Sequence, residues 1–232
     1  MNLKIQAVAI QDLISSSATL RSRERKAWVQ WHIRDGWIEL AALTDMANVH
    51  MSVARQMAET AQGEPDGISR PLSAVILAAC ALEAFINQVA FFVHETGLRE
   101  GGSMEELAKR AIGNDLVEFQ RRTEITVKWD LLGASLCGTG WPPPQPLWME
   151  FRNVIYIRNE LVHFKAVEYE QIIPPPPVPL DIYRRLPPSV KPRDIREAWP
   201  TRVLTPDLAN WGVRVADALI RYFKDAFRHR ER

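Results

Sequence analysis

Apolar positions along the chain recur mostly at helical spacing, and the breaks between runs carry turn residues. Residues 33–61 place Trp37, Leu40, Ala41, Met46, Val53 and Met57 at intervals that predict one helix. Gly63, Pro65, Asp66 and Gly67 then break the pattern. Pro71 suits the first turn of a second helix over 71–96, with Gly97 as its stop. Ser103, followed by Glu105 and Glu106, predicts a capped shorter helix to about residue 112. A further helix is expected over 115–136, with a kink or break where Thr123 to Val127 is β-branched. Gly138-Thr139-Gly140 and Pro142 to Pro146 predict a rigid surface loop, and the helical pattern returns over 147–165. The last helix is clearly marked. Thr205 is its N-cap and Pro206 its first residue, with Leu208, Trp211, Val215, Leu219, Tyr222 and Phe223 on one face.

Two segments depart from this pattern. Leu3, Ile5 and Ala7 alternate as in a short strand, so residues 1–30 are an extension of undefined structure. Residues 166–204 hold nine of the sixteen prolines, including Pro174 to Pro177, and are expected to wrap over the surface, with one turn near Asp181 to Arg185. The expectation is an all-α fold: one domain over 1–232, a bundle of about five helices with a long proline-rich excursion before the last.

A chain of 232 residues with 47% hydrophobic content can bury a substantial core. The formal net charge of +1 gives no general attraction to polyanions, so contact with nucleic acid would need a local basic patch. Cys80 and Cys137 have no paired spacing, which predicts free thiols in a reducing, cytoplasmic setting. The apolar stretch Leu72 to Val93 contains Glu83, Asn87 and Gln88 and reads as a core helix, so no membrane partner is expected. No His or Cys cluster has metal-ligand spacing, so neither metal nor cofactor is expected.

Two charges stand where apolar residues belong. On the helix 147–165, Leu147, Phe151, Val154 and Leu161 form a stripe, and Arg158 lies within it. On the helix 71–96, Ile76, Ala79, Cys80, Ile86 and Ala90 form the expected inward stripe, and Glu83 lies among them. An arginine that cannot lose its charge and a costly buried carboxylate are expected to face each other. Arg152, Tyr156, Asn159 and His163 line up on a neighbouring face at spacings of four, three and four. Arg158 and His163 are about 140° apart in a regular helix, so convergence on one anion needs either the long Arg side chain reaching over or loosening of the helix near His163.

The run Arg158-Asn159-Glu160-Leu161-Val162-His163 resembles the signature of the HEPN superfamily: Arg, four to six residues, then His, with a polar residue after the Arg. Ala81 to Asn87 is similar to a stretch on an earlier helix of several HEPN-like groups. Arg25 and His32 also fit the spacing, but they sit among Lys26, Trp28 and Trp31 and are read as a decoy. The resemblance implies a HEPN-like helical fold, a homodimer and a metal-independent endoribonuclease of a prokaryotic defence, abortive-infection, toxin–antitoxin or stress system. It implies catalysis by Arg158 and His163 with Asn159, with Glu83, Asn87, Arg152, Tyr156 and Lys165 in support. RNA is the implied partner, single-stranded or transfer RNA, together with an antitoxin or regulatory protein. Attack by the RNA 2′-hydroxyl would leave a 2′,3′-cyclic phosphate and a 5′-hydroxyl. Lys165 stands where some HEPN toxins carry the tyrosine that their antitoxins modify, so that control is not expected. Two other functions remain open: a non-catalytic HEPN-like module binding RNA, nucleotide or protein, and a helical interaction protein.

Overall fold

A computed structural model describes residues 32–34, 37–39, 45–64, 66–100, 102–163, 178–195 and 197–230. The chain is mainly helical, as expected. The first described element is an antiparallel ribbon of β1 (His32–Arg34) and β2 (Trp37–Glu39), in register Ile33 opposite Ile38. The helix expected over 33–61 therefore holds only for its second part. Asp-Gly lies between the strands, the residue pair that favours a two-residue hairpin and outweighs the loose helical spacing of Trp37 and Leu40. The strand expected at Leu3, Ile5 and Ala7 lies outside the described residues.

Helix α1 (Met46–Ala61) starts where the Asp45 carboxylate accepts from Asn48 N at 3.1 Å. Its buried stripe, Ala47, Met51, Ala54, Ala58 and Ala61, is made largely of small residues. That lets it pack closely along α2 (Ser69–Glu100), which buries Ala74, Val75, Ala78, Ala81, Leu82, Phe85 and Ile86. By length and composition α2 could cross a membrane; in this fold it is the central helix, packed on most of the others. It does not stop at Gly97. A glycine stop needs a positive φ, which among the described glycines occurs at Gly102, Gly113 and Gly138.

Helix α3 (Gly102–Ala111) already includes Ser103, so that serine is not its cap, and Gly113 at φ 85° ends it. Helices α4 (Leu116–Arg122) and α5 (Ile125–Cys137) are separated at Thr123 and Glu124, within the β-branched stretch. A 3-10 turn (Gly138–Gly140) leads to α6 (Gln145–Val162), which is shorter than expected at its C-terminal end. The described part of the proline-rich segment carries two short helices, α7 (Leu180–Arg185) and α8 (Trp199–Val203), and adds Val178, Ile182, Val190, Trp199 and Val203 to the buried core. Only the first helix was expected. Arg193 pins this segment to the α1–α2 turn by donating to the carbonyls of Asp66 at 3.1 Å and Gly67 at 3.2 Å. Helix α9 (Pro206–Arg230) starts with the Thr205 hydroxyl accepting from Leu208 N at 3.3 Å. It buries Leu208, Trp211, Val215, Leu219 and Phe223.

The helices α1, α2, α5, α6 and α9 form the body, and their shared core is aromatic. Trp129 of α5 stacks on Phe85 at 5.5 Å, meets Phe223 edge-on at 5.7 Å and stacks on Trp141 at 6.3 Å. Such contacts add to area burial and fix the relative rotation of α2, α5 and α9. This core sets the register in which α2, α5 and α6 present their polar residues to one another.

Candidate functional site

Phe151, Val154, Ile155 and Ile157 anchor α6 in the core, and the next turn brings Arg158 to the edge of α2. Arg158 Nη2 lies 3.6 Å from Glu83 Oε2. The expectation that these two face each other is met, with a correction. Glu83 is not buried: its side chain is 41% exposed, against 22% for Arg158. Of the inward stripe expected on α2, Ala79, Ile86 and Ala90 are buried, whereas Ile76 and Cys80 sit with Glu83 at the half-buried margin and Leu82 and Phe85 share the core.

A third charge joins this pair. Lys128 of α5 has its side chain 1% exposed, and its Nζ lies 3.9 Å from Glu83 Oε1. It donates to Asn87 Oδ1 at 3.0 Å and to the Gln120 carbonyl at 2.6 Å. Gln120 in turn donates from Nε2 to the Asn87 carbonyl at 3.1 Å. Four helices, α2, α4, α5 and α6, are thus tied at one point, where one carboxylate faces two cations. Burial pushes the Lys128 ammonium below its usual pKa, and Glu83 opposes that shift. Burial pushes the Cys80 thiol up; Arg158 pulls against this and Glu83 adds to it. Cys80 is therefore held as a thiol and not as a thiolate nucleophile.

The sequence reading missed Lys128, although a signal was present. Ile125, Trp129, Leu132 and Leu136 are the buried stripe of α5, and Lys128 falls at its edge, one turn before Leu132. The wheel test that singled out Glu83 and Arg158 finds it too.

Arg158 is incompletely satisfied. Its Nε is buried without a hydrogen-bond partner, and 3.6 Å to Glu83 is too long for a hydrogen bond. Asn159 and His163 are exposed beyond it. His163 caps α6 with φ −100° and ψ 19°, its N–H donating to the Asn159 carbonyl at 2.9 Å. Helical geometry ends at His163. Among the described residues, no hydrogen bond or ion pair joins His163 to Arg158 or Glu83. Arg152 is exposed, whereas Tyr156 is half-buried, with the Arg185 guanidinium carbon 4.0 Å from its ring centroid. Lys165 lies outside the described residues.

Two surface cavities lie elsewhere. One, of about 920 Å³, is lined by Val178, Tyr183, Leu186, Val190 and their neighbours. The other, of about 350 Å³, is lined by Cys137, Tyr222, Asp225 and His229 among others. Neither includes Arg158, Asn159 or His163. Among the described residues, no group of three or more His, Cys, Asp or Glu side chains is placed to hold a metal ion. No protein-family model, curated protein or solved structure matches the chain.

Proposed function

We propose that this chain is a HEPN-like, metal-independent endoribonuclease that works as a homodimer in a prokaryotic defence, toxin–antitoxin or stress system. What supports it is the state of Arg158. This guanidinium is held at the edge of the fold beside a carboxylate shared with Lys128, has an unpartnered Nε, and is followed by exposed Asn159 and His163 where the helix ends.

RNA carries its own nucleophile. The 2′-oxygen attacks the adjacent phosphorus, the bond to the 5′-oxygen breaks, one proton leaves the 2′-hydroxyl and one reaches the departing oxygen. An imidazole can take or give these protons near neutral pH. A guanidinium can hold the phosphate and offset the charge growing on its oxygens. In this proposal His163 does the first, Arg158 does the second, and Asn159 orients the phosphate. Glu83 fixes the direction of Arg158, and two copies of the site meet in the dimer.

The second reading is a HEPN-like module that binds RNA, nucleotide or protein without cleaving it. It is favoured by the absence of any hydrogen bond between His163 and Arg158 among the described residues. Incubating purified protein with total RNA in excess chelator, beside a His163→Ala variant, separates the two. Cleavage that persists in chelator and vanishes in the variant is expected. RNA bound but uncut by both proteins supports the second reading as an RNA-binding module, and neither binding nor cleavage overturns the nuclease and leaves only a nucleotide- or protein-binding module.

A further inference from the structure

Helix α7 is seated by Ile182, which is 2% exposed, and its last residue, Arg185, reaches the outer face of α6. The Arg185 guanidinium lies over the Tyr156 ring at stacking distance, 4.0 Å, and Nη1 donates to Asn153 Oδ1 at 3.4 Å. A guanidinium has five N–H donors, and this is the one hydrogen bond Arg185 makes among the described residues. No carboxylate pairs with it there, and both Arg185 and Tyr156 keep part of their surface open to solvent.

A planar cation held over an aromatic ring is pre-organised, its position set before a ligand arrives. Unpaired nucleobases stack on guanidinium planes and on aromatic rings, while bases inside a duplex are already stacked and unavailable. The surrounding face of α6 suits a nucleic-acid strand. Arg152, Asn159 and His163 are exposed at spacings that put them on the same side of the helix as Tyr156. Exposed Glu160 lies on the Asn153 flank of that face, so it steers phosphates toward the opposite flank, where Arg152 and Asn159 stand.

We propose that Tyr156 and Arg185 form a stacking platform that receives one unpaired base of a bound RNA strand. The proposal rests on the reading of the chain as an RNA-acting protein, and it adds Arg185, which no sequence pattern pointed to.

The test uses the full chain carrying His163→Ala, so that bound RNA stays intact. Binding of a short fluorescent single-stranded oligoribonucleotide of mixed sequence is compared with binding of the same sequence as a duplex. Arg185→Lys keeps the charge and removes the plane; Tyr156→Leu keeps the apolar contact and removes the ring. Each is expected to weaken single-strand binding about tenfold, equivalent to ~1.4 kcal/mol, and to leave duplex binding unchanged. An RNA with abasic positions should bind the unsubstituted platform and the Arg185→Lys protein equally. Arg185→Lys is the deciding variant should Tyr156→Leu fold poorly. Tight single-strand binding that Arg185→Lys does not alter, or an equal loss for single strand and duplex, overturns the platform alone. Binding that depends on the platform in a protein that never cleaves RNA overturns the nuclease and leaves the platform standing. No binding of single-stranded RNA at all overturns both.

Discussion

Replacing Glu83 by glutamine removes one charge and almost no volume, and so probes the point where α2, α5 and α6 are tied. The carboxylate lies 3.9 Å from Lys128 Nζ and 3.6 Å from Arg158 Nη2. Removing one partner of a fully buried pair costs about 3–5 kcal/mol, and losing an exposed pair about 0.2–1 kcal/mol. Glu83 is 41% exposed and so screened by water, whereas Lys128 is almost wholly enclosed. The expected loss lies between these limits, at about 1–2 kcal/mol once the exposure of Glu83 is discounted. For a chain of 232 residues that lowers Tm by about 2–8 °C. Urea unfolding followed by far-ultraviolet circular dichroism measures it in two backgrounds, native and Lys128→Met. Without the buried cation, Glu83→Gln should cost no more than an exposed pair with Arg158, about 0.2–1 kcal/mol. Equal costs in the two backgrounds would refute the idea that Glu83 compensates Lys128.

Two further outcomes follow from the same packing. Gly133→Ala would put a Cβ 2.2 Å from Trp141 Cε2, and Trp141 is held by Trp148, Phe223 and a 3.2 Å hydrogen bond from Nε1 to Asp130. Despite alanine's better helix propensity, a net loss of about 1–3 kcal/mol is expected in chemical denaturation, and an unchanged or raised midpoint would contradict this packing. Lys128 also gives stability a pH dependence: its folded pKa is lowered from 10.5, so between the lowered value and 10.5 the unfolded chain binds more protons. Its contribution therefore makes stability rise with pH across that alkaline window. Lys128→Met should flatten the rise in urea midpoint, and a slope identical to that of the native protein would count against the assignment.

The elements legible in the sequence were those set by local chemistry. Thr205 and Pro206 start α9 through a hydroxyl cap and a proline whose missing N–H costs nothing there. The turn around Gly63 to Gly67 and the break at Thr123 and Glu124 likewise depend on residues within a few positions of each other. The meeting of Glu83 and Arg158 was legible because each interrupts an apolar stripe and a charge needs a partner. What failed depended on tertiary context. Gly97 reads as a stop, but nothing local shows whether a glycine takes positive φ, and α2 continues to Glu100. The β1–β2 ribbon was hidden because Trp37, Leu40 and Ala41 follow the i, i+3, i+4 spacing of a helix, and strands of three residues are too short to show an alternation of their own. Arg185 gave no signal at all, since its role depends on a ring 29 positions earlier in the chain.

The proposed chemistry is tested most directly by the ends of the RNA products. Digestion of a defined single-stranded RNA in excess chelator, read by mass spectrometry, should give 2′,3′-cyclic phosphate and 5′-hydroxyl termini with the native chain and intact RNA with His163→Ala. Products bearing 3′-hydroxyl and 5′-phosphate ends, or cleavage undiminished in His163→Ala, would contradict attack by the 2′-oxygen assisted by this histidine.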